Sequence, residues 1–349
     1  MATIKYGNVK VTAISACVPK TVKKNIDLDY LIPREEIEKT INSIGIQEKR
    51  FVEEETCPSD LCFKAAEKLF ADNNIDRNSI DLILFLSQSP DYKIPTTAPI
   101  LQKRLGLPTT TAALDLSLGC SGYVYGLSTA MAYASMEGIS RVLFLDGEAF
   151  SRIVNPMDKV DAPLYGDAGT ATLVEKTDIK NSSIFLLCTD GSGEGSVKIK
   201  DGGARCPFSA ESLIERKEKD GSIHRDSEVY MNGMEVFNFV MLRIPRNIKD
   251  LCAAANINVV DANYLILHQA NKFMTDFIAK RLRYPLEKVP YCLDKYGNTS
   301  SPSIPLTISS ELYGKKIGNV IISGFGAGLS WGSAYLNLDS CHVSKVIEY

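Results

Sequence analysis

The chain has 349 residues, of which 45% are hydrophobic, and a formal net charge of −3 at pH 7. This length exceeds one ordinary domain, so we expect two domains or one large duplicated core. The sequence has no long run of Lys and Arg, which argues against a nucleic acid as partner. No secretion-type N-terminal segment and no run of about 18 apolar residues is present, so we expect a cytoplasmic protein without a membrane span.

Short β-rich runs alternate with stretches of helical apolar spacing along the chain. The pattern predicts, in chain order, a helix over 59–73, strands over 80–88 and 141–148, a helix over 234–256, and strands over 263–270 and 319–326. Continuous apolar strands between helices favour a layered α/β fold.

An internal duplication is indicated by two similar passages from helix to strand. The first runs through N-I-D into DLILFLSQ, and the second runs through N-I-N into ANYLILHQ. Between them the chain turns polar at VEKTDIKNSS, so the predicted halves are residues 1–178 and 179–349.

Nine cysteines are scattered through the sequence, with no CxxC pair. An odd count without ligand spacing favours neither a disulfide framework nor a metal site. Most of these cysteines are therefore expected to be small buried hydrophobic residues.

Cys120 is the candidate nucleophile. A strand-like apolar run, broken by Gly119, precedes it, and a helix-like stretch of small and apolar residues follows. Free backbone N–H groups and the positive end of a helix dipole favour a thiolate at such a position, and the thiolate is the reactive form.

Two further side chains are candidate partners for that thiol. His268 follows the strand-like YLIL, and α/β folds tend to place ligands at the carboxyl edge of a sheet. Asn298 stands in a Gly-Asn turn before a small-residue helix, where it could equally serve only as a helix cap. The glycines of SGFGAGLSWGSAYL permit close backbone approach, but they do not follow the G-x-G-x-x-G spacing of a dinucleotide loop.

Four motifs in this order resemble the β-ketoacyl-acyl carrier protein synthase III family of condensing enzymes. They are GCSG at Cys120, HQAN at His268, GNTSS at Asn298 and the closing GFGAGLSWGSA, with further matches at Gly45-Ile46, at 165–174 and at 231–239. The resemblance implies a thiolase-like fold of two duplicated α/β halves in an α-β-α-β-α arrangement. It also implies a Cys-His-Asn catalytic triad.

The resemblance further implies a decarboxylative condensation with no metal and no tightly bound cofactor. Cys120 would take an acyl group from acyl-coenzyme A or from an acyl carrier protein, with an oxyanion hole made by the backbone N–H groups of Cys120 and Ala327. Malonyl-acyl carrier protein would then lose CO₂, and His268 and Asn298 would stabilise the enolate.

The remaining expectations from the family concern the pocket and the partners. Phe325 would exclude water, and Ile94 would close the acyl pocket of the other subunit in a homodimer. Lys39 and Lys159 replace a Trp and an Arg that commonly hold the adenine of coenzyme A, which weakens the case for that donor. The expected contacts to a carrier protein or to coenzyme A are Arg50, Lys159, Lys272, Lys280, Arg281 and Arg283.

Three other functions are also compatible with the sequence. The order Cys, His, Asn also occurs in papain-like proteases, although the C-G-S-C-W type of signature is missing. The same scaffold can move an acyl group onto a hydroxyl or an amine without decarboxylation. A noncatalytic ketosynthase-like partner is the third alternative, and the intact set of Cys120, His268 and Asn298 argues against it.

Overall fold

Two large β-sheets lie between three layers of helices in the computed structural model, which describes residues 3–178 and 182–349. Within these residues the α-helices are α1 Arg34–Ile44, α2 Pro58–Asn73, α3 Thr97–Arg104, α4 Gly122–Ser135, α5 Gly233–Ala255, α6 Lys272–Leu282, α7 Leu293–Tyr296 and α8 Ser303–Glu311. Short 3-10 helices span Asn25–Tyr30, Arg77–Ser79, Phe150–Arg152, Gly191–Gly193, Ala210–Leu213, Val259–Asp261 and Leu286–Lys288.

The described strands vary from two to ten residues in length. They are β1 Thr3–Tyr6, β2 Val9–Val18, β3 Val22–Lys24, β4 Glu48–Arg50, β5 Leu82–Leu86, β6 Ala112–Leu116, β7 Arg141–Ala149, β8 Asp167–Lys176, β9 Ser183–Thr189, β10 Val197–Lys198, β11 Arg216–Lys217, β12 Ile223–His224, β13 Tyr230–Met231, β14 Tyr264–Leu267, β15 Asn319–Gly326, β16 Ser330–Asn337, β17 His342–Val343 and β18 Ile347–Glu348.

The two large sheets repeat the same pairing pattern. In the first sheet β2 pairs antiparallel with β8, β8 pairs antiparallel with β7, and β7 pairs parallel with β5. In the second sheet β9, β16, β15 and β14 follow one another with the same antiparallel, antiparallel and parallel relations. This repetition is the structural form of the duplication that the sequence predicts, and the fold is of the layered α/β class.

Strands near the two ends of the chain cross between the halves. β1 pairs with β9 at the edge of the second sheet, whereas β17 and β18 pair with β2 in the first sheet. The predicted boundary falls at 178/179, next to residues 179–181, which lie outside the described residues, and it stays a prediction.

Two helices form the central layer between the sheets. α4 contacts β7 and β5 on one side and β15 and β16 on the other, and α8 contacts both β2 and β14. α4 has no charged residue in its sequence GYVYGLSTAMAYAS, as burial against two sheets requires. α2 and α3 cover the outer face of the first sheet, and α5 packs on the second sheet with α6 beside it.

The predicted elements are confirmed, with bounds that shift by a few residues. The helices predicted over 59–73 and 234–256 are α2 and α5. The strands predicted over 80–88, 141–148, 263–270 and 319–326 are β5, β7, β14 and β15. In the described part of the chain, no helix has the length and apolar character needed to cross a membrane.

Truncation of Phe144 tests the packing of the central layer. Phe144 is buried and stacks on Tyr123 of α4, with ring centroids 5.6 Å apart. Phe144→Ala is expected to lower the free energy of unfolding by about 3–5 kcal/mol, because it leaves a cavity between α4 and the sheet. Urea titration followed by circular dichroism measures this change. Leu242→Ala, at a side chain that is 74% exposed, is the control and should change it by about 0.5 kcal/mol or less. Equal effects of the two variants would contradict the packing described here.

Candidate active site

A cavity of about 380 Å³ brings together the three side chains that the sequence singles out. Cys120, His268 and Asn298 all line it, and so do Phe325 and Ala327. Cys120 belongs to the first half of the chain and the other four belong to the second, so the cavity lies where the halves meet.

Cys120 lies immediately before α4, and its sulfur has a close polar neighbour. The Sγ atom is 3.5 Å from the Ser300 hydroxyl. The end of β15 approaches it from the other side, because a Cβ placed on Gly326 would lie 2.8 Å from Cys120 Cβ and 3.1 Å from Sγ. A glycine is therefore required at residue 326 if the thiol is to keep its position.

The thiol of Cys120 is the stable form in this environment. Burial is the main cause that raises its pKa to about 11; the hydrogen bond with Ser300 acts in the opposite direction, and the charge of the nearby Glu148 adds to the effect of burial. The expectation that the helix terminus would favour a thiolate is therefore wrong in its net effect. Loss of water around the sulfur outweighs the hydrogen bonds that favour a thiolate.

His268 follows β14 and is fixed on several sides. Its backbone N–H donates to the Ser323 carbonyl at 2.8 Å, and its Nδ1 lies 2.7 Å from the Ser303 hydroxyl. The Phe325 ring meets the imidazole edge to face, with centroids 5.4 Å apart. Burial lowers the pKa of His268 to about 3, and a hydrogen bond to the Ser300 backbone only partly opposes this. The ring is therefore neutral at physiological pH.

Asn298 is oriented by its own turn. Its Oδ1 accepts from the Ser300 N–H at 2.9 Å, and no other hydrogen bond of the Asn298 side chain is formed within residues 3–178 and 182–349. This arrangement leaves the two Nδ2 hydrogens as donors. Asn298 is not the cap of α8, since the N-cap residue of that helix is Pro302.

The backbone of Asn298 is held by the segment that forms another wall of the cavity. Its N–H donates to the Leu164 carbonyl at 2.8 Å, and its carbonyl accepts from Gly166 N–H at 3.1 Å. The stem of Lys49 packs on Gly297, and its Nζ donates to the Ala162 carbonyl. Lys49 is almost completely buried, and burial lowers its pKa to about 7.

The other residues named from the sequence are distributed around the protein. Lys159 lines the cavity, and its Nζ donates to the Asp220 carbonyl at 2.8 Å. Arg50 does not line the cavity and is paired with Glu348 at 2.7 Å. Ile94 is 88% exposed on the single chain and is not at the cavity either.

The basic residues of α6 form a surface beside the cavity. Lys272 begins the helix and pairs with Asp276 at 2.8 Å, while Lys280 and Arg281 are exposed in its last turn, followed by the exposed Arg283. α6 also supplies Met274 to the cavity lining.

Sequence reasoning missed several residues that contact this site. Ser300 and Ser303 hold the sulfur and the imidazole, and they lie within or next to the motif that identified Asn298, so that motif was the available signal. Gln88 lines the cavity as well. It follows β5 at the carboxyl edge of the first sheet, which corresponds to the edge of the second sheet where His268 follows β14, and this placement could have indicated it.

Comparisons with known proteins agree with this geometry. Residues 114–191 match the family described as 3-oxoacyl-[acyl-carrier-protein (ACP)] synthase III, and residues 252–338 match its C-terminal domain. A β-ketoacyl-[acyl-carrier-protein] synthase III of Rhodopirellula baltica is 32% identical over 93% of this chain and 97% of its own. The enzyme of that name from Lactococcus lactis is 31% identical over 94% of this chain and 99% of its own.

The chain belongs to the 3-oxoacyl-[acyl-carrier-protein] synthase III family. The crystal structure of a 3-oxoacyl-(acyl-carrier protein) synthase from Burkholderia xenovorans superimposes with a TM-score of 0.93, at 32% identity, covering 100% of this chain and 99% of the other. The protein is therefore a condensing enzyme that transfers acyl groups, with the thiolase-type fold. The papain-like alternative is excluded by this fold.

The protonation state of Cys120 can be tested by alkylation. Because its pKa is about 11, the rate of modification by iodoacetamide should rise about tenfold for each pH unit between 7 and 10. Peptide mass mapping separates Cys120 from the other cysteines, and Cys120→Ser provides the blank. A rate that is already constant below pH 8 would instead indicate a thiolate stabilised by a protonated His268.

Proposed function

We propose that this enzyme carries out a decarboxylative condensation of an acyl thioester with a malonyl thioester carried by an acyl carrier protein. The observation that supports this most directly is the convergence of Cys120, His268 and Asn298 on one cavity that Phe325 also lines. Cys120 can hold an acyl chain as a thioester, and His268 and Asn298 can donate hydrogen bonds to an enolate.

In the first half-reaction Cys120 is the nucleophile. Its sulfur attacks the thioester carbonyl of the donor, the bond to the departing thiol breaks, and an acyl-Cys120 thioester forms. The neutral imidazole of His268 can accept the proton from the thiol and pass it to the departing thiol. The Ser303 hydroxyl can donate to Nδ1 or accept from it, so it is compatible with either tautomer of the ring.

The oxyanion hole of this step is assigned to the backbone N–H groups of Cys120 and Ala327. Both residues line the cavity, and Gly326 brings the backbone before Ala327 against the nucleophile. Each such donor is worth about 3 kcal/mol in related acyl-transfer sites.

In the second half-reaction the malonyl group loses CO₂. The bond between its carboxylate carbon and its α-carbon breaks, and the electron pair gives an enolate. His268 and the Asn298 Nδ2 stabilise the enolate oxygen. The α-carbon then attacks the acyl-Cys120 carbonyl, a carbon–carbon bond forms, and the sulfur leaves as a thiolate that takes one proton from water. Phe325, packed against the His268 ring, keeps water away from this step.

The acyl carrier protein is the proposed macromolecular partner. Carrier proteins are acidic, and the exposed Lys280, Arg281 and Arg283 at the end of α6 offer a complementary surface. Lys272 at the start of α6 and Lys159 on the cavity wall complete the proposed path of the carrier arm. Arg50, by contrast, is engaged with Glu348 and lies outside that path.

A homodimer is the proposed assembly. β6 is the edge strand of the first sheet and keeps one row of backbone groups for a further strand, and its Leu114 is 38% exposed. Ile94 and Tyr92 are exposed on a neighbouring loop. Pairing of β6 across a two-fold axis would cover this apolar surface and bring Ile94 towards the partner's acyl pocket.

The requirement for glycine at residue 326 gives a test of the nucleophile's position. Gly326→Ala should slow acylation of Cys120 by about 10²-fold, because the added Cβ displaces the sulfur from the oxyanion hole. Intact-mass spectrometry after mixing with acyl thioesters measures the rate. Gly203→Ala is the matched control, since a Cβ there meets open space. Acylation of folded Gly326→Ala at the rate of the unmodified enzyme would contradict the assigned site.

Separating the two half-reactions tests the condensation itself. Asn298→Ala and His268→Ala should both lower the rate of CO₂ release from malonyl-carrier protein by at least about 10²-fold. Asn298→Ala should still form acyl-Cys120, whereas Cys120→Ala should form no covalent adduct. The measurements are intact mass before and after malonyl-carrier protein is added, together with radiolabelled CO₂.

Two results would contradict the proposed condensation and favour another function. Acyl-Cys120 that is neither discharged by malonyl-carrier protein nor accompanied by CO₂ release would point to acyl transfer onto a hydroxyl or amine. No acylation from coenzyme A or carrier-protein donors would favour the noncatalytic partner.

A further inference from the structure

The turn at residues 87–89, directly after β5, places a glutamine beside the nucleophile. Gln88 lines the same cavity as Cys120. A Cβ added to Gly119 would lie 2.6 Å from Gln88 Oε1 and 3.6 Å from Ala327 Cβ. The Gln88 amide therefore lies against the residue that precedes the nucleophile and near the proposed oxyanion hole.

This turn is held in place by a buried carboxylate. Glu148 on β7 is inaccessible to solvent, and it accepts hydrogen bonds from the Gln88 N–H at 2.8 Å and from the Ser89 hydroxyl at 2.7 Å. The Ser89 hydroxyl in turn accepts from Ala149 N–H at 3.1 Å. Burial raises the pKa of Glu148 to about 7, against the effect of these hydrogen bonds. Glu148 takes no part in the proposed chemistry, and its evident effect is to fix the backbone of Gln88.

The side chain of Gln88 is left without a partner in the described residues, since only its backbone N–H forms a hydrogen bond there. Its amide can donate two hydrogen bonds and accept two. It is exposed on the single chain and lines the cavity that would receive an acyl group on Cys120. A covered amide without a hydrogen-bond partner is unfavourable. An unsubstituted hydrocarbon chain offers no such partner, whereas a hydroxyl or an oxo group does.

We propose that Gln88 selects the acyl primer by hydrogen bonding to an oxygen atom carried on the acyl chain, so that the preferred primer is a hydroxyacyl or oxoacyl group. This inference rests on the proposed function, because it requires an acyl group on Cys120. Sites built to hydrogen-bond a substrate hydroxyl discriminate against analogues that lack it, since the protein's polar group is then left unpaired.

The test compares four-carbon acyl groups that differ only in one hydroxyl. Butyryl, 2-hydroxybutyryl, 3-hydroxybutyryl and 4-hydroxybutyryl thioesters of coenzyme A and of carrier protein are mixed with the full chain, and intact mass gives each rate of Cys120 acylation. At least one hydroxybutyryl isomer should react about tenfold faster than butyryl. In Gln88→Leu the ratio for that isomer should fall to about one, mainly because the hydroxyacyl group reacts more slowly.

Controls separate hydrogen bonding from size and from loss of fold. Gln47→Leu removes an exposed amide outside the cavity and should leave the ratio unchanged. Gln88→Asn keeps the amide on a shorter side chain and should keep a preference for a hydroxylated isomer. Circular dichroism and the thermal unfolding midpoint show whether each variant is folded.

Each contrary result overturns a distinct claim. Equal rates for all four groups in the unmodified enzyme, or a ratio that Gln88→Leu does not change, would overturn the role of Gln88. Faster loading of longer unsubstituted chains by Gln88→Leu, without any hydroxyl preference in the unmodified enzyme, would show that Gln88 only limits chain length. If no thioester acylates Cys120, the proposed function itself fails, and this inference fails with it.

Discussion

The contact between the backbone of β15 and Cys120 is the constraint on which the site depends. The two halves meet where Gly324 and Gly326 lie against the start of α4, at distances that leave no room for a Cβ. This approach sets the sulfur beside Ser300 and places Ala327 next to it. Because the proposed nucleophile comes from one half and its proposed partners come from the other, the geometry of the site is a property of the packing between the halves.

Burial also sets the protonation states of Cys120 and His268. The thiol of Cys120 has a pKa of about 11 and the imidazole of His268 has a pKa of about 3, so both groups are neutral at physiological pH. In the proposed reaction, charge then develops only as the reaction proceeds, on the sulfur and on the thioester oxygen, where the backbone N–H groups of the proposed oxyanion hole would stabilise it. A neutral resting site has little affinity for stray ions, and its donors need no reorganisation when charge appears.

Sequence patterns predicted the strands and the three converging side chains because those features depend on local apolar runs and on motifs of a few residues. Cys120, His268 and Asn298 lie 148 and 30 residues apart along the chain and still line one cavity. The net pKa of Cys120 was not predictable, since desolvation depends on neighbours distant in sequence. Gln88 and Glu148 escaped notice because the hydrogen bond that joins them depends on the pairing of β5 with β7, which are far apart in sequence. Ile94 stays a prediction that only a second subunit can test.

The exchange of β1 and of β17 and β18 between the sheets bears on how the protein is made. During synthesis β2 has no partner on its outer side until residues 342–348 have left the ribosome, whereas β1 must wait for β9. Neither sheet can be completed by its own half of the chain. Either half produced alone would lack the edge strands that the other half supplies to its sheet, so the duplicated halves are expected to fold and unfold as one cooperative unit.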